Sequence, residues 1–226
     1  MVQNTPGPGR PLTFARDVVL EEMVRLFWEK GYEGVSLKDL EDRTGLNRSS
    51  LYNSFGSKEA LFSLALDRYL REVAGRLLVP LEEGEKGMED IHAFIEAVAA
   101  WFSSPASNAG CLMVNSMVEF GGSKEEIVRE ACHYTDRFRA AASSALTRAM
   151  RRGELPEGEV EPRVDLLLGM ILALNVAARS GVPGLTGQLV DALRVQVREW
   201  AGEARSFGEG DPGRRRPEKG DFGRSP

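Results

Sequence analysis

In the first two thirds of the chain the apolar residues return every three or four positions rather than every two, a spacing that suits helices and denies a sheet its buried face. Gly, Pro and Ser punctuate this pattern about every ten to thirty residues, so the helices are separate. An all-α fold is expected. Ala15, Val18, Val19, Met23, Leu26 and Phe27 form a first stripe that ends before Gly31. Ser36, with Asp39 three residues on, has the form of a capping box for a short helix carrying Leu37 and Leu40, which Gly45 closes. Asn47 can cap a third helix in which Leu51 and Phe55 are one turn apart. Gly56 ends it, and Ser57 opens a longer helix running toward Leu78.

Beyond a loop at residues 82–87, Ile91, Phe94, Ile95, Val98, Trp101 and Phe102 mark a helix that stops at residues 103–105, and another spans residues 110–120. Ser123 and Glu126 spell an S-x-x-E box for a long helix reaching Arg152. Pro162 suits a helix start. Residues 166–178, LLLGMILALNVAA, are apolar almost all round, which requires burial on more than one side. Leu185, Leu189, Leu193, Val197 and Trp200 line one face of the last helix. A flexible Pro/Gly-rich arm at residues 1–12 and a disordered tail at residues 204–226 flank these helices, because neither carries enough apolar residues to bury.

With 226 residues the chain can bury one sizeable core, or one small and one medium domain. Its formal charge of −5 argues against coating nucleic acid or anionic membrane with the whole surface, so any anion site is local. No apolar run approaches the roughly 18 to 20 residues of a membrane span, and the N-terminus lacks the apolar core of a secretory signal. A cytoplasmic location without membrane partners is expected. Cys111 and Cys132 match no paired metal-ligand spacing, and Cys132 beside His133 has no further ligand in step with it, so neither metal nor cofactor is expected.

Residues 44–62, TGLNRSSLYNSFGSKEALF, supply the local anion site. From Arg43 to Lys58 there are three basic residues and no acid, in a chain with 34 Asp and Glu. A helix, a short Gly-containing turn and a second short helix make up the helix-turn-helix pattern, whose second helix enters a DNA major groove. At 100° per residue Leu51 and Phe55 point one way and Ser49 and Asn53 the other, with Ser50 and Tyr52 on the flanks. Asn bonds adenine edges, Ser bonds several bases, and Arg48 at the first turn can reach guanine or phosphate. Lys58 and the free amides opening the fourth helix suit phosphate.

Residues 27–62, FWEKGYEGVSLKDLEDRTGLNRSSLYNSFGSKEALF, closely resemble the DNA-binding domain of the TetR-like family of bacterial transcriptional repressors. The resemblance rests on the Gly31-Tyr32 turn, the helix from Ser36, Thr44-Gly45, Leu51-Tyr52, Phe55, and Ser57 to Leu61. It covers about residues 13–62. Beyond that only the helix count and RRGELP, residues 151–156, look familiar. It implies a three-helix DNA-binding domain at residues 13–60, joined by a long helix to a helical-bundle domain for ligand binding and dimerisation at residues 61–203. It further implies a homodimer, paired through the last two helices at about residues 163–201, that leaves a near-palindromic double-stranded operator when a small-molecule effector binds. Matched by position, Arg48, Ser49, Ser50 and Asn53 read bases, and Tyr52, Lys58 and Ser36 hold phosphates. Asn47 replaces the commoner Ser or Thr cap, and Asn53-Ser54 replaces bulkier residues, so no operator sequence transfers.

In the second domain, aromatic or flexible residues on the central helices are candidates for the effector site: Trp101, Phe102, Met113, Met117, Phe120, Tyr134 and Phe138. Asn115 and Asn175 join them, since an amide in an apolar run needs a partner or costs about 1–3 kcal/mol. Cys111, expected in the first turn of a helix where the dipole lowers a thiol pKa, makes a redox or electrophile sensor the alternative reading. An enzyme is not expected. His92 and His133 are the only histidines, and no Ser/His/Asp arrangement forms around them.

Overall fold

The computed structural model describes residues 12–208, and every regular element among them is helical. The parts of the arm and tail at residues 1–11 and 209–226 lie outside the described residues. Helix α1 spans Leu12–Lys30, α2 Leu37–Thr44, α3 Arg48–Phe55 and α4 Lys58–Tyr69. A π-turn, Leu70–Ala74, runs without a break into α5, Gly75–Glu83, so residues 58–83 form one rod. Then come α6 (Met88–Phe102), a 3-10 turn (Pro105–Ala109), α7 (Leu112–Phe120), α8 (Glu125–Arg151), α9 (Glu161–Ser180) and α10 (Leu185–Gly208).

Side chains set the boundaries of the first helices. The Asp39 N–H donates to Ser36 Oγ at 3.1 Å and the Ser36 N–H to the Asp39 carboxylate at 2.8 Å, the reciprocal box that opens α2. Gly45 ends α2 at φ +69°, where a Cβ would be strained. The Ser50 N–H donates to Asn47 Oδ1 at 2.9 Å, and the Ala60 N–H to Ser57 Oγ at 3.2 Å.

Three expectations need correction. The Ser123 box does not form: α8 starts at Glu125, and Lys124, at the cap position, makes no side-chain cap. Its ammonium instead pairs with Glu59 at 2.9 Å and lies 4.3 Å from the Tyr32 ring centre, which fixes the turn by an outside contact. The helix after Ser57 runs past Leu78 to Glu83 with Pro80 inside it. Finally, α10 continues to Gly208, so residues 204–208 are helical, because extending a formed helix avoids the cost of nucleation.

Among the described residues, two apolar clusters hold the fold together. One gathers Met23, Phe27, Leu40, Leu51 and Leu61 of the first four helices, and continues through Ala65 and Tyr69 to Leu112, Phe120 and Ile127. The other packs Ile91, Phe94, Phe138, Leu146, Leu174 and Trp200. Packing does not pause at residue 60, and α7 belongs to the core of the N-terminal head. Side chains of Leu or Phe size each contribute about 1.5–3 kcal/mol when fully buried, so this shared cluster ties the head firmly to the rest.

Candidate nucleic-acid interface and effector cavity

Helix α3 is held by Leu51 and Phe55, 0% and 6% exposed, so its opposite face is turned outward. There Ser49 and Asn53 are exposed, with the Asn53 amide 3.5 Å from Ser49 Oγ, and Ser50 and Tyr52 are half-buried on the flanks. The exposed Arg48 guanidinium lies 5.5 Å from the Tyr52 ring centre, and its backbone N–H donates to Glu41 at 2.7 Å. Lys58 Nζ lies 4.4 Å from the Tyr32 ring centre at the start of α4. The Ser36 side chain is exposed and serves as the α2 cap.

Charge around this face differs from the count along the chain. Arg43 bonds Glu22 at 3.3 Å and Glu29 at 3.0 Å, so it is compensated within the head. The positive face falls instead to Arg48, Lys58 and a residue that sequence reasoning missed, Arg16, whose guanidinium lies 5.0 Å from the Phe55 ring centre. Its place on a different helix left no local signal. Behind this face, the Lys30 ammonium and the Ser36 cap hold the Asp39 carboxyl well below the usual carboxylate range.

An internal cavity of about 20 Å³, room for about one water, separates the rod from the central helices. Trp101, Phe102, Tyr134, Phe138 and Asn175 all line it, and so does Cys111. The remaining candidates lie elsewhere. Met113 is fully buried in the head cluster; Asn115 donates to the Ala109 carbonyl at 2.8 Å; Met117 packs against the head cluster; the Phe120 ring lies tilted or edge-on to those of Tyr32 and Phe62 at 5.3 and 5.7 Å. Cys111 caps α7 but is 4% exposed, and burial pushes its thiol up, against the downward pull of Tyr69 and the α7 amides. The lowered pKa expected from helix position alone is therefore not found.

One long-range contact ties the cavity wall to the head and another latches α7 onto it, and neither is visible in local sequence. The Trp28 ring of α1 stacks on Trp101 at 5.8 Å with 2° between planes and meets Tyr69 edge-on at 4.9 Å, while its Nε1–H donates to the Gly110 carbonyl at 2.9 Å. At the far end of α7, the Glu119 carboxylate accepts the N–H groups of Tyr32 at 2.9 Å and Glu33 at 2.7 Å. Among the described residues no helix is long and apolar enough to cross a membrane, and no three His, Cys, Asp or Glu side chains gather as metal ligands.

A head whose second short helix presents amide, hydroxyl and guanidinium groups outward, on an all-helical body, defines a helix-turn-helix transcriptional regulator. Residues 19–65 match the family described as "Bacterial regulatory proteins, tetR family", and residues 87–181 match "Tetracyclin repressor-like, C-terminal domain". The chain is 33% identical over 194 residues to the HTH-type transcriptional repressor ComR of Escherichia coli (strain K12), covering 85% of this chain and 91% of that protein. It therefore belongs to the TetR family and is a DNA-binding transcriptional repressor of that kind. The fold is that of a TetR transcriptional regulator from Chloroflexus aurantiacus, with a TM-score of 0.73 at 22% identity over 84% of this chain and 96% of that one. A cysteine mutant of the TetR family regulator CifR, complexed with 26-bp double-strand operator DNA, superposes with a TM-score of 0.70 at 26% identity, covering 85% of this chain and all of that one.

Proposed function

We propose that the protein is a homodimeric cytoplasmic repressor that acts by binding rather than catalysis, and that leaves a palindromic operator when a small molecule enters the cavity lined by Trp101 and Asn175. In this reading Arg48, Ser49, Ser50 and Asn53 read bases, and Tyr52, Lys58 and Ser36 hold phosphates. The observation that carries the release step is Trp28, one residue packed in the head and stacked on the cavity wall. An effector shifts DNA affinity only through contacts that differ between the two head arrangements, and displacing Trp101 would disturb such a contact. The dimer reading is supported by the stripe Leu166, Gly169, Met170, Ala173 and Val176 on α9, with Ala192 and Val195 on α10; Leu166 and Val176 stay 41% and 57% exposed. Small residues there let two helix pairs approach closely, as in a four-helix bundle.

Trp101→Ala tests the link without needing an effector. It should change operator affinity by about fivefold or more, within the range of ordinary allosteric couplings, although Trp101 lies outside the DNA-facing head. An unchanged affinity would disconnect cavity from head. Sedimentation of wild-type protein at twice the chain mass, and of Ala173→Glu at the chain mass, tests the dimer; a monomeric wild type removes it.

A further inference from the structure

The cavity wall limits what the effector can be. The rings of Phe94, Trp101, Phe102 and Phe138 line it, together with those of Tyr69 and Tyr134. Its polar groups are the Tyr69 and Tyr134 hydroxyls, the Trp101 indole N–H, the Cys111 thiol and the Asn175 amide, and no Asp, Glu, Lys, Arg or His lines it among the described residues. A charged ligand would leave water and meet no counter-charge, the situation in which burial costs most. The Asn175 amide already donates to the Ile171 carbonyl at 2.8 Å. The Tyr69 hydroxyl lies beside the Cys111 thiol, and both residues are almost fully buried, 3% and 4% exposed. Tyr134 is half-buried where Tyr69 is almost fully buried, which makes it the more open hydroxyl to serve a guest, and burial pushes its pKa up, which keeps the hydroxyl protonated.

Size follows from the same wall. Room for one water admits no organic molecule until a side chain swings aside, and one displaced indole or phenyl opens the space of about one ring. Val73 and Ala74, at the cavity, sit in the π-turn Leu70–Ala74, an irregularity often found where helices must adjust. Resting on the effector-release reading above, we propose that the cavity takes an uncharged, single-ring aromatic molecule with a hydrogen-bond acceptor that pairs with the Tyr134 hydroxyl.

Calorimetric titration of the full chain with four one-ring probes tests this: acetophenone, ethylbenzene, benzoate and benzylammonium. Acetophenone should bind about tenfold or more tighter than either ion. Tyr134→Phe should weaken acetophenone about fivefold or more and leave ethylbenzene within about twofold, since only the hydrogen bond is removed. Val98→Phe or Ala74→Leu, each filling the void, should abolish acetophenone binding in protein that unfolds in urea as cooperatively as wild type. The proposal is overturned if an ion binds as tightly as acetophenone, if no probe binds, if Tyr134→Phe leaves acetophenone unaffected, or if both filling variants bind it normally. Operator release is scored separately. Acetophenone bound in the cavity with the operator still held would sink the release reading and spare the ligand class; an ion that releases the operator through the cavity would do the reverse.

Discussion

Gly31→Ala should destabilise the folded protein by about 2–4 kcal/mol, and roughly half of that loss should vanish when Glu119 is absent. Gly31 lies at φ +72°, where a Cβ costs about 1–2 kcal/mol of backbone strain. The added Cβ would also sit 2.9 Å from one Glu119 carboxylate oxygen and 3.2 Å from the other. The carboxylate must then retreat from the Tyr32 and Glu33 N–H groups. Bonds to a charged acceptor are worth up to about 3 kcal/mol when buried, but Glu119 is exposed and water can replace it, so about 0.5–1 kcal/mol each is the fair figure. The strain remains in a Glu119→Ala background while the collision disappears, which leaves a coupling of about 1–2 kcal/mol. Urea unfolding of the four proteins, at one fixed concentration because an oligomer's stability depends on it, measures that coupling. Additivity within about 0.5 kcal/mol, or a Gly31→Ala protein as stable as wild type, would refute the latch between α7 and the head.

Other consequences can be checked more briefly. Leu51→Ala, at a fully buried position, should cost about 2–5 kcal/mol by denaturant unfolding, whereas the exposed Asn53→Ala should leave stability within about 0.5 kcal/mol of wild type. Because Asp39 is held below the usual carboxylate range by Lys30 and Ser36, its contribution is complete above about pH 4 and is lost as pH falls through the folded pKa. Asp39→Asn should therefore flatten the acid limb of the stability profile, and an unaltered limb would contradict the assignment. An aromatic disulfide reagent should modify the exposed Cys132 well before the buried Cys111 in native protein, while equal rates would revive the thiol-sensor reading.

What the sequence made legible was whatever is decided within a few residues. Ser36 with Asp39, Gly45, Asn47 and Gly56 each act on their own helix end, so their side chains announce the boundaries they form. Ser123 carries the same signal and fails, because Lys124 is claimed by Glu59 and Tyr32, far away in sequence. The π-turn was hidden for a related reason. An extra residue inside a continuous helix changes register without adding a Gly or Pro on its exposed side, and Leu70–Ala74 reads as ordinary helix. For the cavity, aromatic identity found Trp101, Phe102, Tyr134 and Phe138. It could not separate them from Phe120, whose ring belongs to the Tyr32 and Phe62 cluster instead. Trp28 and Glu119 escaped altogether, since their partners lie 41 to 87 positions away.

The most direct test of the account is whether the outward face of α3 reads DNA. Fluorescence anisotropy against duplexes tiling the DNA beside the protein's own gene, at fixed near-physiological salt, should find one duplex bound at least roughly a thousandfold tighter than scrambled DNA. Asn53→Ala should erode that preference by about 1–3 kcal/mol with little change in binding to scrambled DNA, while Tyr52→Ala should weaken both. A tight duplex whose binding ignores both substitutions would mean that α3 is not the reading helix.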